Sequence, residues 1–189
     1  MKPLFHCCCA PCAAACLEDL TAEGISPRLF WYNPNIHPFT EYKSRRDTLI
    51  QYAASQNLEA EMIDEYGLRS FLRGAVMEKP GRCDFCYRLR LEKTAAYAAE
   101  NGFDAFGTSL LISPYQNHEA IRRLGGELAV QYGLVFLYRD FRPRFREGQA
   151  RARSLGLYMQ KYCGCIFSEE ERYTKRGKSP EPRGPMERR

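Results

Sequence analysis

The first apolar run of this chain, PLFH at residues 3–6, ends directly in a crowd of thiols. Cys7, Cys8, Cys9 and Cys12 follow, with Cys16 one helical turn further on. Pro11 suits the first turn of a helix, where its missing N–H costs no hydrogen bond. The segment therefore reads as strand, cysteine loop and helix, the helix running to about residue 23 before Gly24 ends it. The same alternation continues down the chain. Strands are expected at 27–32 (PRLFWY), 58–63, 104–109 and 135–138. Helices are expected from Thr40 as cap to about 56, at 66–76, at 84–101, from the Ser113-Pro114 signature to about 132, and near 147–155. Residues 33–38 (NPNIHP) form a loop, residues 81–83 a turn, and the end of the body is irregular. Alternating strands and helices predict an α/β fold with a mainly parallel sheet flanked by helices. Ligands in such folds sit beyond the carboxyl ends of the strands, where His6–Cys12 and 31–38 fall.

One domain over residues 1–173 accounts for the length of 189, and an apolar content of 44% supports a core without covalent staples. The start of the chain lacks the pattern of a secretory leader, and no 18-residue apolar run occurs. Many thiols in such a chain imply a cytoplasmic protein with no membrane anchor. The net charge is +5, and residues 174–189 carry most of it, with six Lys/Arg against two Asp/Glu. Three prolines and two glycines make that stretch a basic arm with no packed structure, suited to weak attraction toward a polyanion.

Nine cysteines fall into three clusters. Cys8 and Cys9 precede a helix N-terminus, where aligned peptide dipoles stabilise thiolates. Cys9, Cys12 and Cys16 share one helical face, and Cys12 can reach a site at the helix start. Cys16 lies deeper and reads as a small buried hydrophobe, and Cys7 points away from Cys8 into the core. Cys83 and Cys86 form a CxxC at another helix start, a spacing shared by zinc ribbons, thioredoxin-like sites and iron–sulfur proteins. Cys8, Cys9, Cys83 and Cys86 supply four thiolates, enough for a tetrahedral zinc or a four-iron cluster. Adjacent cysteines chelate a single ion awkwardly, which favours the larger cluster. Cys163 and Cys165, separated by Gly164, read as a redox-active dithiol whose disulfide would be strained and reducible.

His6 is expected to be a satisfied core histidine. His37, in the 33–38 loop, is a candidate acid or substrate contact, and Tyr115 begins a polar cluster, residues 115–119, at a helix start. Arg45, Arg46, Arg82, Arg88, Arg90, Arg142, Arg144 and Arg146 alternate with Phe85, Tyr87, Phe141 and Phe145, a pattern able to bind phosphates and stack bases. No GxGxxG, Walker motif or Ser-Gly-Gly-x-Asp-Ser run follows the first strand, which argues against ATP use.

Taken in order, HCCCAPC (6–12), YNPNIHPFTEY (32–42), RCDFCYRLRLEKTA (82–95), GFDAFGTSLLISPYQNHEAI (102–121), FREGQ (145–149) and LYMQKYCGCIFS (157–168) resemble the cobalamin-independent epoxyqueuosine reductase family, the QueH type. The resemblance covers about residues 4–168. It implies a fold like that of the nucleotide α-hydrolase group. It also implies a cytoplasmic oxidoreductase for the last step of queuosine biosynthesis, acting on tRNA with a GUN anticodon and fed by an external electron donor. The implied cofactors are a [4Fe–4S] cluster on Cys8, Cys9, Cys83 and Cys86 and an adjacent mononuclear iron, with Cys12 as its candidate ligand. Relatives can carry Asp at the position of Cys12 and usually Arg at that of Met159, so this chain departs from the pattern twice. His37 and Tyr115 are the candidate proton donors, and Cys163 with Cys165 the candidate electron relay. The competing readings are another iron–sulfur tRNA-modifying enzyme, such as a thiolase, and a zinc-stabilised RNA-binding module without catalysis.

Overall fold

A computed structural model describes residues 1–77 and 81–174; the basic arm expected at 174–189 lies outside the described residues except for Thr174. Five parallel strands form one sheet: β1 (Pro3–His6), β2 (Arg28–Trp31), β3 (Ala60–Met62), β4 (Ala105–Thr108) and β5 (Val135–Phe136), in the order β3-β2-β1-β4-β5. Between them run α1 (Ala10–Ala22), α2 (Phe39–Ser55), α3 (Leu68–Met77), α4 (Arg82–Glu100) and α5 (His118–Tyr132), and after the last strand α6 (Phe145–Ser154) and α7 (Ile166–Tyr173). The expected α/β architecture is the observed one.

Strand β1 is central and fully buried, pairing Phe5 with Leu29 on one side and with Gly107 on the other. Burial on both faces is why such a strand carries a continuous apolar run rather than an alternating one. The chain leaves β1 toward β2 and returns later to β4 on its opposite flank. With right-handed crossovers, α1 and α2 therefore cover one face and α4 and α5 the other, and α1 packs on α2 and α6 while α4 packs on α3 and α5. The crevice between the carboxyl ends of β1 and β4 is the switch point of the sheet.

Close packing across these layers depends on two glycines. A Cβ on Gly107 would lie 2.9 Å from the Phe5 ring, and a Cβ on Gly125 of α5 would lie 2.3 Å from the Phe136 ring. Both aromatic rings occupy the space that a side chain would fill.

Several boundaries differ from expectation. Helix α2 starts at Phe39 with Pro38 as its cap residue, and Thr40 caps nothing. The Ser113-Pro114 signature does not open α5. A 3-10 turn over Ser109–Ile112 comes first, and Asn117 is the true cap, its side chain accepting the Ala120 N–H at 3.1 Å. Ser113 instead accepts the Tyr115 N–H within its own loop, the competing local bond open to any serine before a turn. Cys83 sits inside α4 rather than in a turn, because Gly81, at φ +151°, is the cap residue and Arg82 already begins the helix. The end of the body holds α7, a short helix with an exposed acidic face.

The two adjacent glycines of α5 provide a test. Gly126 is exposed and its Cβ position is open, whereas that of Gly125 is occupied by Phe136. Gly126→Ala is expected to raise stability by about 0.5–1 kcal/mol, the ordinary gain from removing a helical glycine. Gly125→Ala is expected to lower it through overpacking, by roughly 1–3 kcal/mol. Urea unfolding midpoints check both, and equal stabilisation by the two would show the α5–β5 packing to be wrong.

Candidate metal centre and pocket

Strand β1 delivers the chain to the switch point at His6, and the next residues turn into α1 there. The Cys8 N–H donates to Ser109 Oγ at 3.0 Å, and that hydroxyl donates to Cys8 Sγ at 3.4 Å. The loops after β1 and β4 are thereby tied together at the first thiol. Cys9 is the extended residue preceding α1, and Cys12 lies in its first turn. The three sulfurs of Cys8, Cys9 and Cys12 lie within 4.8 Å of one another, with Cys8 and Cys9 Sγ 3.9 Å apart. Three soft donors this close are a preformed ligand set for a thiophilic metal.

Three such thiols cannot all ionise at once. Hydrogen bonds from the Cys12 and Cys9 thiols, and then from Ser109, hold Cys8 well below the usual thiol range despite its burial. Burial holds Cys9 up, and the hydrogen bonds that Cys12 makes to Cys8 and Cys9, together with burial, hold Cys12 up. Cys8 is therefore the thiol of the trio that ionises first, and a bound cation is what would drive the protons off Cys9 and Cys12.

A second group of cysteines comes from α4 and the end of the body. Cys83 is exposed in the first turn of α4, while Cys86, one turn on, is buried against Phe71, Ala75 and Cys165. Burial pushes the Cys86 thiol up to about 12, with Arg90 opposing. Cys163 is exposed and receives the Gln116 Nε2–H at 3.4 Å. All nine cysteines are free thiols. Cys83 and Cys86 stand outside the compact trio, and Cys86 packs with Cys165.

Two buried arginines frame these groups, which the expectation of a phosphate-binding basic face did not foresee. Arg45 donates Nε–H to Glu41 at 2.6 Å and its two terminal nitrogens to the carbonyls of Cys163 and Tyr162, each at 2.9 Å. It thereby pins the Cys163–Cys165 segment. Gly164 is required in that segment, since it adopts φ +141° and a Cβ would meet Ile36 at 3.2 Å and Arg45 Nη1 at 3.3 Å. Arg90 is 1% exposed, donates Nε–H to the Cys86 carbonyl at 3.0 Å and Nη2–H to Cys86 Sγ at 3.1 Å. Of the other arginines expected on that face, Arg46, Arg82, Arg88, Arg142 and Arg144 are engaged in ion pairs. Tyr87 and Phe141 are buried, leaving neither ring available for stacking.

The histidines separate clearly. His6 is fully buried, bonded to Thr108 Oγ1 at 2.9 Å and Asn33 Oδ1 at 3.2 Å, and burial together with Arg90 holds it down at about 4. It is the satisfied core group expected. His37 departs from expectation. The 33–38 loop is buried, and the His37 ring packs on Tyr66 and Phe71 with Nε2 donating to the Pro34 carbonyl at 3.1 Å. Burial lowers it to about 4, so it stays neutral and holds the loop. It does not line the cavity beside the cysteines.

That cavity has a volume of about 520 Å³ and opens at the switch point. Cys8, Cys12 and Cys163 reach it, bringing sulfur from two separate clusters to one space. Tyr115, 85% exposed, stands at its rim with its ring edge-on to Phe145 at 6.0 Å. Gln116, Gln149 and Gln160 line its walls, and none was singled out as a site residue from sequence, although all three fall within quoted motifs, GFDAFGTSLLISPYQNHEAI, FREGQ and LYMQKYCGCIFS. Gln160 donates Nε2–H to Cys12 Sγ at 3.3 Å, and its buried Oε1 has no partner among the described residues. Lys161 and Arg172 add positive charge to the lining.

Loading the metal-free chain with Co²⁺ or Zn²⁺ at neutral pH is expected to release about two protons per ion from the trio, and affinity is expected to rise with pH. A pH-indicator titration reads the protons directly; binding without proton release would remove Cys9 and Cys12 from the ligand set.

The family profile described as "Epoxyqueuosine reductase QueH" matches residues 3–171. An epoxyqueuosine reductase QueH from Dehalococcoides mccartyi is 38% identical over 92% of this chain and 96% of its own length. One from Thermotoga maritima is 34% identical over 97% and 98%, and one from Acinetobacter baylyi 38% identical over 88% and 80%. Among solved structures, a protein described as a predicted subunit of a tRNA methyltransferase from Methanocaldococcus jannaschii aligns with a TM-score of 0.54 at 12% identity, over 81% of this chain and 74% of that one. That likeness is one of fold alone. With a profile match and relatives of this identity spanning nearly the whole chain, the protein belongs to the epoxyqueuosine reductase QueH family.

Proposed function

We propose that this chain is a cytoplasmic epoxyqueuosine reductase. It removes the epoxide oxygen from the cyclopentane ring of epoxyqueuosine at the wobble position of a tRNA with a GUN anticodon. The epoxide takes up two electrons and two protons, leaving the alkene of queuosine and one water. The observation that carries the reading is the thiol-bearing cavity at the switch point of a chain in this family. No helix among the described residues is long and apolar enough to cross a membrane.

The donor set fits an iron–sulfur cofactor. Cys8 and Cys9 are held side by side at a helix start, Cys83 and Cys86 stand at another, and a buried guanidinium bonded to Cys86 sulfur favours an anionic centre. In this proposal Cys8, Cys9, Cys83 and Cys86 hold a [4Fe–4S] cluster, and Cys12 is a ligand to an adjacent iron. When bound, such a centre supplies electrons one at a time and a Lewis acid for the epoxide oxygen.

The protein's own part is recognition, orientation and proton supply. The cavity admits a single extruded nucleoside and is much too small for a helix. Tyr115 and Phe145 offer aromatic surface at the mouth for a base, and Lys161 and Arg172 offer charge for flanking phosphates. Gln160, tied to Cys12 by its amide nitrogen, keeps its oxygen free to accept from a ring hydroxyl. With His37 buried away from the cavity, Tyr115 is the remaining proton donor of the two expected. Cys163 faces the cavity and Cys165 packs on Cys86. Their oxidation to a disulfide would release two electrons and two protons, and an external donor would restore the thiols.

Anaerobic protein is expected to carry at least four irons with matching sulfide and to convert epoxyqueuosine in tRNA to a product lighter by one oxygen. Cys83→Ala is expected to lose both cluster and activity, whereas Gln160→Ala should keep the iron and raise KM. Product heavier by one sulfur would support a thiolase instead, and zinc without sulfide would leave only an RNA-binding module. Full cluster and activity in Cys83→Ala would remove Cys83 from the ligand set.

A further inference from the structure

Arg90 is a buried cation whose charge the fold does not otherwise answer. Arg45, the other fully buried arginine, bonds Glu41 directly. Arg90 makes no ion pair with any carboxylate among the described residues. Its hydrogen-bond acceptors are both on Cys86: the carbonyl at 3.0 Å and the sulfur at 3.1 Å. A guanidinium cannot shed its proton to escape this burial, so the missing negative charge must come from the sulfurs around it.

The geometry is specific to arginine. Arg90 follows Cys86 by one turn of α4, so its side chain folds back along the helix toward Cys86. The bond from Nε to the carbonyl fixes the plane of the fork, and that plane aims Nη2 at the sulfur. Thr94 bonds the Arg90 carbonyl at 2.7 Å from the next turn.

We infer that Arg90 is a positioning residue that raises the reduction potential of the cluster held at Cys86, by donating Nη2–H to that ligand's sulfur and keeping a fixed positive charge beside it. This rests on the proposed function. Reduction adds one negative charge to a cluster, and a cation with an N–H on a ligand sulfur stabilises the reduced state more than the oxidised one. Lysine at this place would keep the charge but could not bond carbonyl and sulfur together from one rigid fork.

The test compares anaerobically reconstituted wild type, Arg90→Gln and Arg90→Lys. Iron and sulfide are assayed first, and each protein is then titrated with dithionite and mediators while the reduced cluster is followed by EPR. Arg90→Gln with a full cluster is expected to titrate lower by at least tenfold in its reduced-to-oxidised ratio, about 59 mV for one electron, with Arg90→Lys between it and wild type. An unchanged midpoint in a fully loaded Arg90→Gln would overturn the inference. Should neither variant load, wild type grown on ¹⁵N-arginine decides. Pulsed EPR of its reduced cluster is expected to show a weak ¹⁵N coupling, and absence of that coupling overturns the hydrogen bond. A wild type that binds zinc and no sulfide would instead overturn the reading of the site, and the role of Arg90 with it.

Discussion

The parallel pairing of β1 with β4 is the constraint from which the site follows. Their register sets His6 opposite Thr108, so both strands end together and the next residues of each meet. Cys8, two residues past β1, meets Ser109, the residue directly past β4, and the two bonds between them close the crevice at its floor. Side chains alternate along a strand, so a slip of one residue would turn Cys8 toward the core and Cys7 toward the cavity. The packing of Phe5 against the bare backbone of Gly107 holds the register where the chemistry needs it. Core packing and thiol placement are thus one requirement on the same four-residue strand.

Charge makes the second frame. Thiols this buried resist ionisation, and the structure concentrates the first negative charge on Cys8 by turning neighbouring thiols and a hydroxyl toward it. Two buried arginines supply the opposite sign in different ways. Arg45 is balanced by Glu41 and serves as a structural rivet, whereas the Arg90 guanidinium bonds only Cys86 among the described residues. A buried charge whose partner is removed is costly, commonly by about 3–5 kcal/mol. The fold accepts that strain at Arg90 in the place where thiolates collect, which is where local rules give way at functional sites.

Much of this was legible in the sequence, and the exceptions have physical causes. The five strands and the α/β class follow from apolar runs alternating with helical stretches, and the cysteine loop after the first strand marked the switch point correctly. Cys7, Cys16 and His6 were placed in the core, where they lie. The helix starts were less secure, because Ser113 and Thr40 carry the cap residue type without making the cap bond, while Asn117 makes it. His37 looked exposed because asparagines and prolines usually mark surface loops, but here α3 and the aromatic rings of Tyr66 and Phe71 cover that loop. The glutamines of the cavity wall fall within the quoted motifs, but nothing in the sequence marks them as lining a cavity. Gln116 and Gln160 are separated by more than forty residues, and only the fold sets them in one cavity, against the sulfurs of Cys163 and Cys12 respectively. Arg45 and Arg90 were misread for the same reason: composition records a basic residue but not whether it faces water or thiols.

The segment that brings Cys163 to the cavity has almost no regular structure of its own, which explains its dense cross-bonding. The His37 N–H donates to the Gly164 carbonyl at 2.8 Å, Tyr162 donates its hydroxyl to the His37 carbonyl, and Arg45 holds the two carbonyls of Tyr162 and Cys163. Each of these partners sits in the buried loop after β2 or in α2, the helix that follows it. The second element of the sheet therefore contributes no thiol to the site and yet positions the one that arrives from the far end of the body. Gly164 makes the contact close enough, since any side chain there would press on Ile36 and Arg45. A loop rich in asparagine, proline and histidine is buried in this fold because it must be a rigid socket for the Cys-Gly-Cys turn, and that demand accounts for the neutral His37 more directly than any role in proton transfer.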